Sequence, residues 1–228
     1  MVFNRIIYIL FSIVSFLEII SEYLGLYQCI HIAKPLLMPL LICYVFYNIS
    51  STNKKPKIYL LLALFFSMLG DVFLLFSGFN ETFFLIGLSM FLITHGFYIT
   101  LFLTNKRSEL KLGKVVFSVL IIVSYYLCLM SIIETNLGSY AIPVYVYGIV
   151  LSFMLFSAFI SSYEKQKTVV FFGAIFFILS DSLIAINKFY MTESNEFISS
   201  GIMLTYVMGQ FLIVYGVTKY LRLGRIWP

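Results

Sequence analysis

The sequence predicts an all-α membrane protein, a single bundle of eight helices that each cross a bilayer, and three observations carry that prediction. Hydrophobic residues make up 61% of the 228 residues and charged residues only 11%, against about a quarter charged in soluble domains. A water-soluble fold of this size has nowhere to hide so much apolar surface. The apolar residues arrive in blocks of roughly 15 to 22, the length a helix needs to cross about 30 Å of hydrocarbon. Lys and Arg cluster at every second link between blocks, as they do where links stay on the cytoplasmic side.

Spans are expected at about 6–24, 33–50, 58–78, 83–104, 113–133, 140–160, 168–190 and 199–220, in one domain covering 1–228. In the first, Asn4 and Arg5 precede an apolar run from Ile6 to Ile20. No small-x-small cleavage motif follows, and Ser21-Glu22-Tyr23-Leu24 leads straight toward the next span, so this segment reads as a retained helix rather than a signal peptide. The second span opens on Lys34-Pro35, which leaves His31 in a solvated outer loop. The third, LLALFFSMLGDVFLLF, carries Asp71; the fourth, GLSMFLITHGFYI, carries His95 and Tyr98. The fifth is uninterrupted apolar chain, and the sixth opens on Ile142-Pro143. The seventh, FFGAIFFILSDSLIAI, carries Asp181, and the eighth carries Tyr206 and Gln210 one turn apart.

Placing the N-terminus inside puts Arg5, Lys54, Lys55, Lys57, Lys106, Arg107, Lys111, Lys114, Lys165, Lys167, Lys219, Arg222 and Arg225 on one side. Lys34 and Lys188 fall on the other, with Glu18, Glu22, Glu81, Glu134, Glu193 and Glu196. An odd number of spans scrambles this segregation, so it supports eight helices with both termini cytoplasmic, in the inner (plasma) membrane if the chain is bacterial. The same distribution explains the net charge of +5 as membrane flanks rather than a nucleic-acid surface. A faint repeat joins the halves: Pro35 and Pro143 are 108 residues apart and Asp71 and Asp181 are 110 apart. With four helices per half, the repeat is parallel.

Asp71 and Asp181 are the only aspartates, and both fall deep within apolar helices. A carboxylate there costs about 3 kcal/mol or more, so each should face the bundle interior, where a pair suits proton transfer. His95 lies near the midplane, with Tyr98 on the same helical face. Lys34 and Lys188, the two outer cations, can act as snorkelling anchors or hold a phosphate. Asn187, Tyr206 and Gln210 add uncharged polar groups, and Tyr145 and Met154 are expected to line an apolar cavity. Cys29, Cys43 and Cys128 show no ligand or disulfide spacing and read as packing residues. Two histidines cannot assemble a three-His zinc site, and no cofactor or metal is expected. The sequence contains no G-x-S-x-G, H-E-x-x-H, Walker or G-x-G-x-x-G motif.

Taken together, Lys34-Pro35, SMLGDVFLLF, GLSMFLITHGFYI, Tyr145, GAIFFILSDSLIAINKF and TYVMGQFLIVYG resemble the YhhN family, which includes the lysoplasmalogenases of animals. The resemblance covers nearly the whole chain from about residue 30. It implies an eight-helix enzyme that hydrolyses the vinyl ether of a lysophospholipid, releasing a fatty aldehyde and a glycerophospho-ethanolamine or -choline. That chemistry needs a proton for the alkenyl carbon, a negative charge beside the oxocarbenium ion and a water, a two-carboxylate task like glycoside hydrolysis. On this basis Asp71 and Asp181 are acid and base. His95, Tyr98, Tyr206 and Gln210 position them, and Asn187, Lys34 and Lys188 hold the glycerophosphate. The cavity is expected to open toward the outer leaflet. Paired intramembrane carboxylates also fit a proton-coupled transporter, and a non-catalytic lipid-binding protein is a third reading.

Overall fold

The structure, a computed structural model, describes residues 2–49, 53–104, 112–161, 163, 166–191 and 195–222. Among them lie eight long helices: α1 (Val2–Leu24), α2 (Tyr27–Asn48), α3 (Lys54–Leu75), α4 (Glu81–Leu103), α5 (Leu112–Ile133), α6 (Ala141–Ile160), α7 (Lys167–Phe189) and α8 (Glu196–Arg222). Each is long and apolar enough to cross a membrane, and the chain is an integral membrane protein. Large apolar side chains cover the outside of the bundle, among them Ile9, Ile13 and Phe16 on α1 and Phe117, Leu120 and Leu127 on α5. Lipid, not water, suits that surface.

The helices begin within a few residues of the expected spans, except α2. It starts at Tyr27, so Pro35 and Pro39 sit inside it rather than at its opening. His31 is therefore helical rather than in a loop; it remains exposed, and its Nδ1 contacts the Tyr27 carbonyl at 2.7 Å. The three cysteines are exposed on the bundle surface and do not pack the interior.

The closest pairings are α3 with α4 and α7 with α8, corresponding members of the two halves. Glycine makes both possible, because small residues let transmembrane backbones approach. A Cβ on Gly209 of α8 would lie 2.8 Å from the Phe177 backbone nitrogen of α7, and one on Gly173 would lie 2.8 Å from the Ile213 backbone nitrogen. On the other pair, a Cβ on Gly70 would strike the Phe91 ring at 2.7 Å. Across the bundle, Asp71 and Ser67 of α3 meet Tyr206 and Gln210 of α8 through hydrogen bonds. The main core contains Leu37, Leu64, Tyr98, Met154, Phe177 and Ile213, and a smaller cluster around Phe84, Met130, Val144 and Phe189 closes the end where α7 finishes. On the orientation read from the charges, that end is the outer one.

Candidate functional site

Both aspartates are buried, Asp71 2% and Asp181 7% exposed, and each is held by a tyrosine from another helix. The Tyr206 hydroxyl of α8 donates to Asp71 Oδ2 at 2.7 Å. The Tyr147 hydroxyl of α6 donates to Asp181 Oδ2 at 2.5 Å, and His95 Nε2 of α4 lies 3.0 Å from the same oxygen. His95 Nε2 is also 2.9 Å from the Tyr147 oxygen. Tyr147 has one hydrogen and gives it to Asp181, so Nε2 must be the donor toward both oxygens. In the neutral ring Nδ1 is then a bare lone pair, and it is buried without a hydrogen-bond partner among the described residues. An imidazole oriented by a carboxylate at one nitrogen and open at the other is the arrangement of a general base.

Phe177 stands between the two groups. Its ring centroid is 5.0 Å from His95 and 5.7 Å from Tyr206, and Phe91 packs on Tyr206 at 5.9 Å. Asp71 and Asp181 still lie close enough to sense each other's charge. Behind Tyr206 runs an uncharged polar chain: Tyr98 donates to Gln210 Oε1 at 2.5 Å, Gln210 Nε2 donates to Ser67 Oγ at 2.9 Å, and Ser67 and Thr94 lead to the Ala63 carbonyl. Tyr98 and Gln210 thus contact each other rather than either aspartate. They anchor the wall from which Tyr206 reaches Asp71.

Tyr145 packs against the smaller outer cluster, away from the aspartates, and Met154 is wholly buried in the main core. Tyr147, two residues on, takes the Asp181 contact that the sequence reading missed. Tyr147, Leu151, Met154 and Ala158 share the buried face of α6, whereas Tyr145 and Met154 are nine residues apart and so on opposite sides of a helix turning about 100° per residue.

Lys34 is not a free cation. It forms an ion pair with Glu22 Oε1 at 3.2 Å and lies within the fields of Asp71 and Glu18. Glu18 is fully buried, and among the described residues neither of its carboxylate oxygens has a hydrogen-bond partner. Its place on the inward face of α1, after Ile7, Phe11 and Ser15, was legible in helical spacing.

Two cavities meet at the site. A polar vestibule of about 470 Å³ is lined by Glu22, Lys34, Ser77, Asn187, Lys188 and Ser199, among others. Asn187 presents a buried, unpartnered Oδ1, and the Lys188 ammonium rests 5.3 Å from the Phe84 ring centroid. A small apolar pocket of about 40 Å³ touches Asp181, Tyr147 and Phe91. Leu74, Phe84 and Ile184 line both, so they form the partition between vestibule and carboxylate.

Human lysoplasmalogenase TMEM86A is 31% identical to the chain over 162 residues, a match that takes in 68% of this chain and 63% of that protein's length. No solved structure matches the chain. The YhhN family profile matches residues 29–217. That stretch contains Asp71, His95, Tyr147, Asp181, Tyr206 and Gln210 and leaves out α1 with its Glu18 and Glu22. With the match running over most of the sequence and through every helix that holds the two aspartates in place, the chain belongs to the YhhN family.

Proposed function

We propose that the protein is an intramembrane lysolipid hydrolase that cleaves the vinyl ether of a lysoplasmalogen, giving a fatty aldehyde and a glycerophospho-ethanolamine or -choline. The observation that carries this reading is the pair of buried carboxylates, one held by Tyr206 and the other by Tyr147 and His95, beneath a vestibule that offers Lys188 and Asn187. The similarity to a lysoplasmalogenase supports it.

Asp71, as the acid, delivers its proton to the outer alkenyl carbon, and the adjacent carbon becomes an oxocarbenium ion. Negative charge on Asp181 stabilises that ion. Water adds to it, losing a proton to the open Nδ1 of His95, and the hemiacetal collapses to aldehyde and alcohol. His95 passes that proton to the departing alcohol oxygen while the hemiacetal hydroxyl returns one to Asp71, so one water is consumed and both groups are restored. Lys188 and Asn187 hold the phosphate, and Lys34, already paired with Glu22, balances the charge that Asp71 is left with once it has given up its proton.

Purified protein mixed with lysoplasmalogen in detergent should release aldehyde without any ion gradient. Asp71→Asn and Asp181→Asn should each abolish release and remain extractable and folded, since asparagine keeps the size of the side chain and adds no buried charge. Turnover retained in both variants removes the mechanism. Uptake confined to sealed vesicles assigns a transporter, and lipid binding without aldehyde assigns a binding protein.

A further inference from the structure

The polar vestibule of about 470 Å³ draws its charges from two parts of the bundle. Lys188 and Asn187 enter it from α7, and Glu22 and Lys34 enter it from α1 and α2. These walls are separate, because α7 packs on α8 and α8 in turn on α1. Lys34 already has its carboxylate, Glu22 Oε1 at 3.2 Å. Lys188 forms no ion pair among the described residues and rests on the Phe84 ring. An ammonium is a donor only, so the α7 wall is built for an anion.

The other wall is built to accept hydrogen bonds. Among the described residues Glu22 is bonded through Oε1 alone, whereas an ionised carboxylate accepts through both oxygens. Its side chain is 16% exposed, so it is reachable from the cavity yet shielded from bulk water, where a charge-assisted hydrogen bond is at its strongest. Ser77, which lines the same cavity, gives its one hydrogen to the Leu74 carbonyl at 2.7 Å and has only lone pairs left to offer. A ligand that suits both walls carries an anionic group for Lys188 and a cationic group with hydrogens for Glu22 and Ser77.

A phosphoethanolamine head group meets that description and a phosphocholine does not. The quaternary nitrogen of choline has no hydrogen to donate, and proteins recognise such a cation with aromatic rings. Of the described residues that line the vestibule, Phe84 is the one aromatic. Its ring already carries the Lys188 ammonium at 5.3 Å, and Tyr140 and Phe189 pack edge-on against it at 5.8 and 6.0 Å. No aromatic seat is left for a second cation.

We infer that Glu22, assisted by Ser77, binds the amine of the lipid head group, so that the vestibule selects a phosphoethanolamine lysolipid over its phosphocholine counterpart. This rests on the hydrolase reading above and deepens it. In the complex Glu22 keeps Oε1 on Lys34 and turns its other oxygen to the amine, while Lys188 holds the phosphate. Glu22 precedes the stretch that the family profile matches, residues 29–217, so the preference does not follow from family membership.

The test uses wild-type protein and lysoplasmalogens of one chain length, their head-group nitrogen carrying three, two, one or no hydrogens as methyl groups replace them. KM should rise along the series, by about tenfold or more between ethanolamine and choline, the change expected for one charge-assisted hydrogen bond. The nitrogen is remote from the vinyl ether, so kcat should hold. Glu22→Gln should flatten the series, with the thermal melt as the control for folding. Equal KM across the series in wild type, or a series just as steep in folded Glu22→Gln protein, overturns the assignment. A second measurement does not depend on turnover: displacement of a bound alkyl-ether lysolipid, which cannot be hydrolysed, by glycerophosphoethanolamine and by glycerophosphocholine. Preference for the first without aldehyde release from any lipid means that the hydrolase reading fails while the head-group assignment stands. Aldehyde released at one KM from all four lipids means the reverse.

Discussion

Tyr147→Phe separates the proposed chemistry from packing more cleanly than any other single change. Tyr147 is buried, its ring lies 5.3 Å from that of His95, and its hydroxyl donates to Asp181 at 2.5 Å. Phenylalanine keeps the ring and removes only the hydroxyl, so the bundle should fold as before. What is lost is one hydrogen bond to a buried carboxylate, worth about 1.5–3 kcal/mol. The hydroxyl also helps to orient His95, because its oxygen accepts from Nε2 alongside the Asp181 carboxylate. If the bond acts on the charge that Asp181 presents in the transition state, a tenfold change per ~1.36 kcal/mol puts the fall in kcat at about 10- to 150-fold. Aldehyde release from lysoplasmalogen in detergent measures it, with the thermal melt as the control for folding. Tyr145→Phe, at the outer cluster, should leave turnover at the wild-type level. A Tyr147→Phe protein that melts normally and turns over as fast as wild type refutes the role given to the Tyr147–Asp181–His95 group.

Two further outcomes concern stability. Gly209→Ala drives a methyl group to 2.8 Å from the Phe177 backbone nitrogen, where no side chain can give way. It should destabilise the α7–α8 pair by about 1–3 kcal/mol, lowering the melting temperature by about 2–4 °C per kcal/mol for a chain of this size; an unchanged melt means the helices can part without cost. Glu18→Gln removes a fully buried carboxylate whose oxygens bond to nothing, so it should melt no lower than wild type, while Glu22→Gln strips Lys34 of its ion pair and should melt lower. A destabilised Glu18→Gln protein shows that Glu18 has a partner after all.

Much of this bundle was legible because a bilayer leaves the chain few choices. Apolar blocks of membrane-spanning length must be helices, since no water is present to satisfy an open backbone. The start of α2 is hidden in the sequence, where Lys34-Pro35 reads as a helix opening, whereas Pro35 and Pro39 lie within a helix that starts at Tyr27. Asp71 and Asp181 stood out by cost alone, a signal that needs no structure. The partners of Asp181 were half visible: His95 stood out as a polar group in an apolar helix, but Tyr147 did not, and the α6 tyrosine singled out, Tyr145, was expected only to line an apolar cavity. Extending the buried stripe Leu151–Met154–Ala158 back by one turn selects Tyr147 instead. Lys34 could not be read correctly from its own helix, because its counter-charge, Glu22, comes from α1 and only tertiary packing brings them together.

The surroundings of the two aspartates divide the work between them. Asp181 is attached to the one group nearby that can accept a second proton, the open Nδ1 of His95. Asp71 is attached through Tyr206 to a wall of tyrosine, glutamine, serine and threonine that ends on the Ala63 carbonyl. Such a wall fixes a position and relays no charge. Phe177 packs near-perpendicular to both His95 and Tyr206, the groups that hold the two carboxylates, and among the described residues no hydrogen bond joins Asp71 to Asp181. Two carboxylates in direct contact tend to hold a single proton between them; set apart by a ring, one can carry a proton to carbon while the other stays charged to meet the cation that results. On this reading the Phe177 ring, which packs on the partner of each acid, matters as much as the acids themselves, and Gly173 and Gly209, which draw α7 against α8, hold that ring against Tyr206.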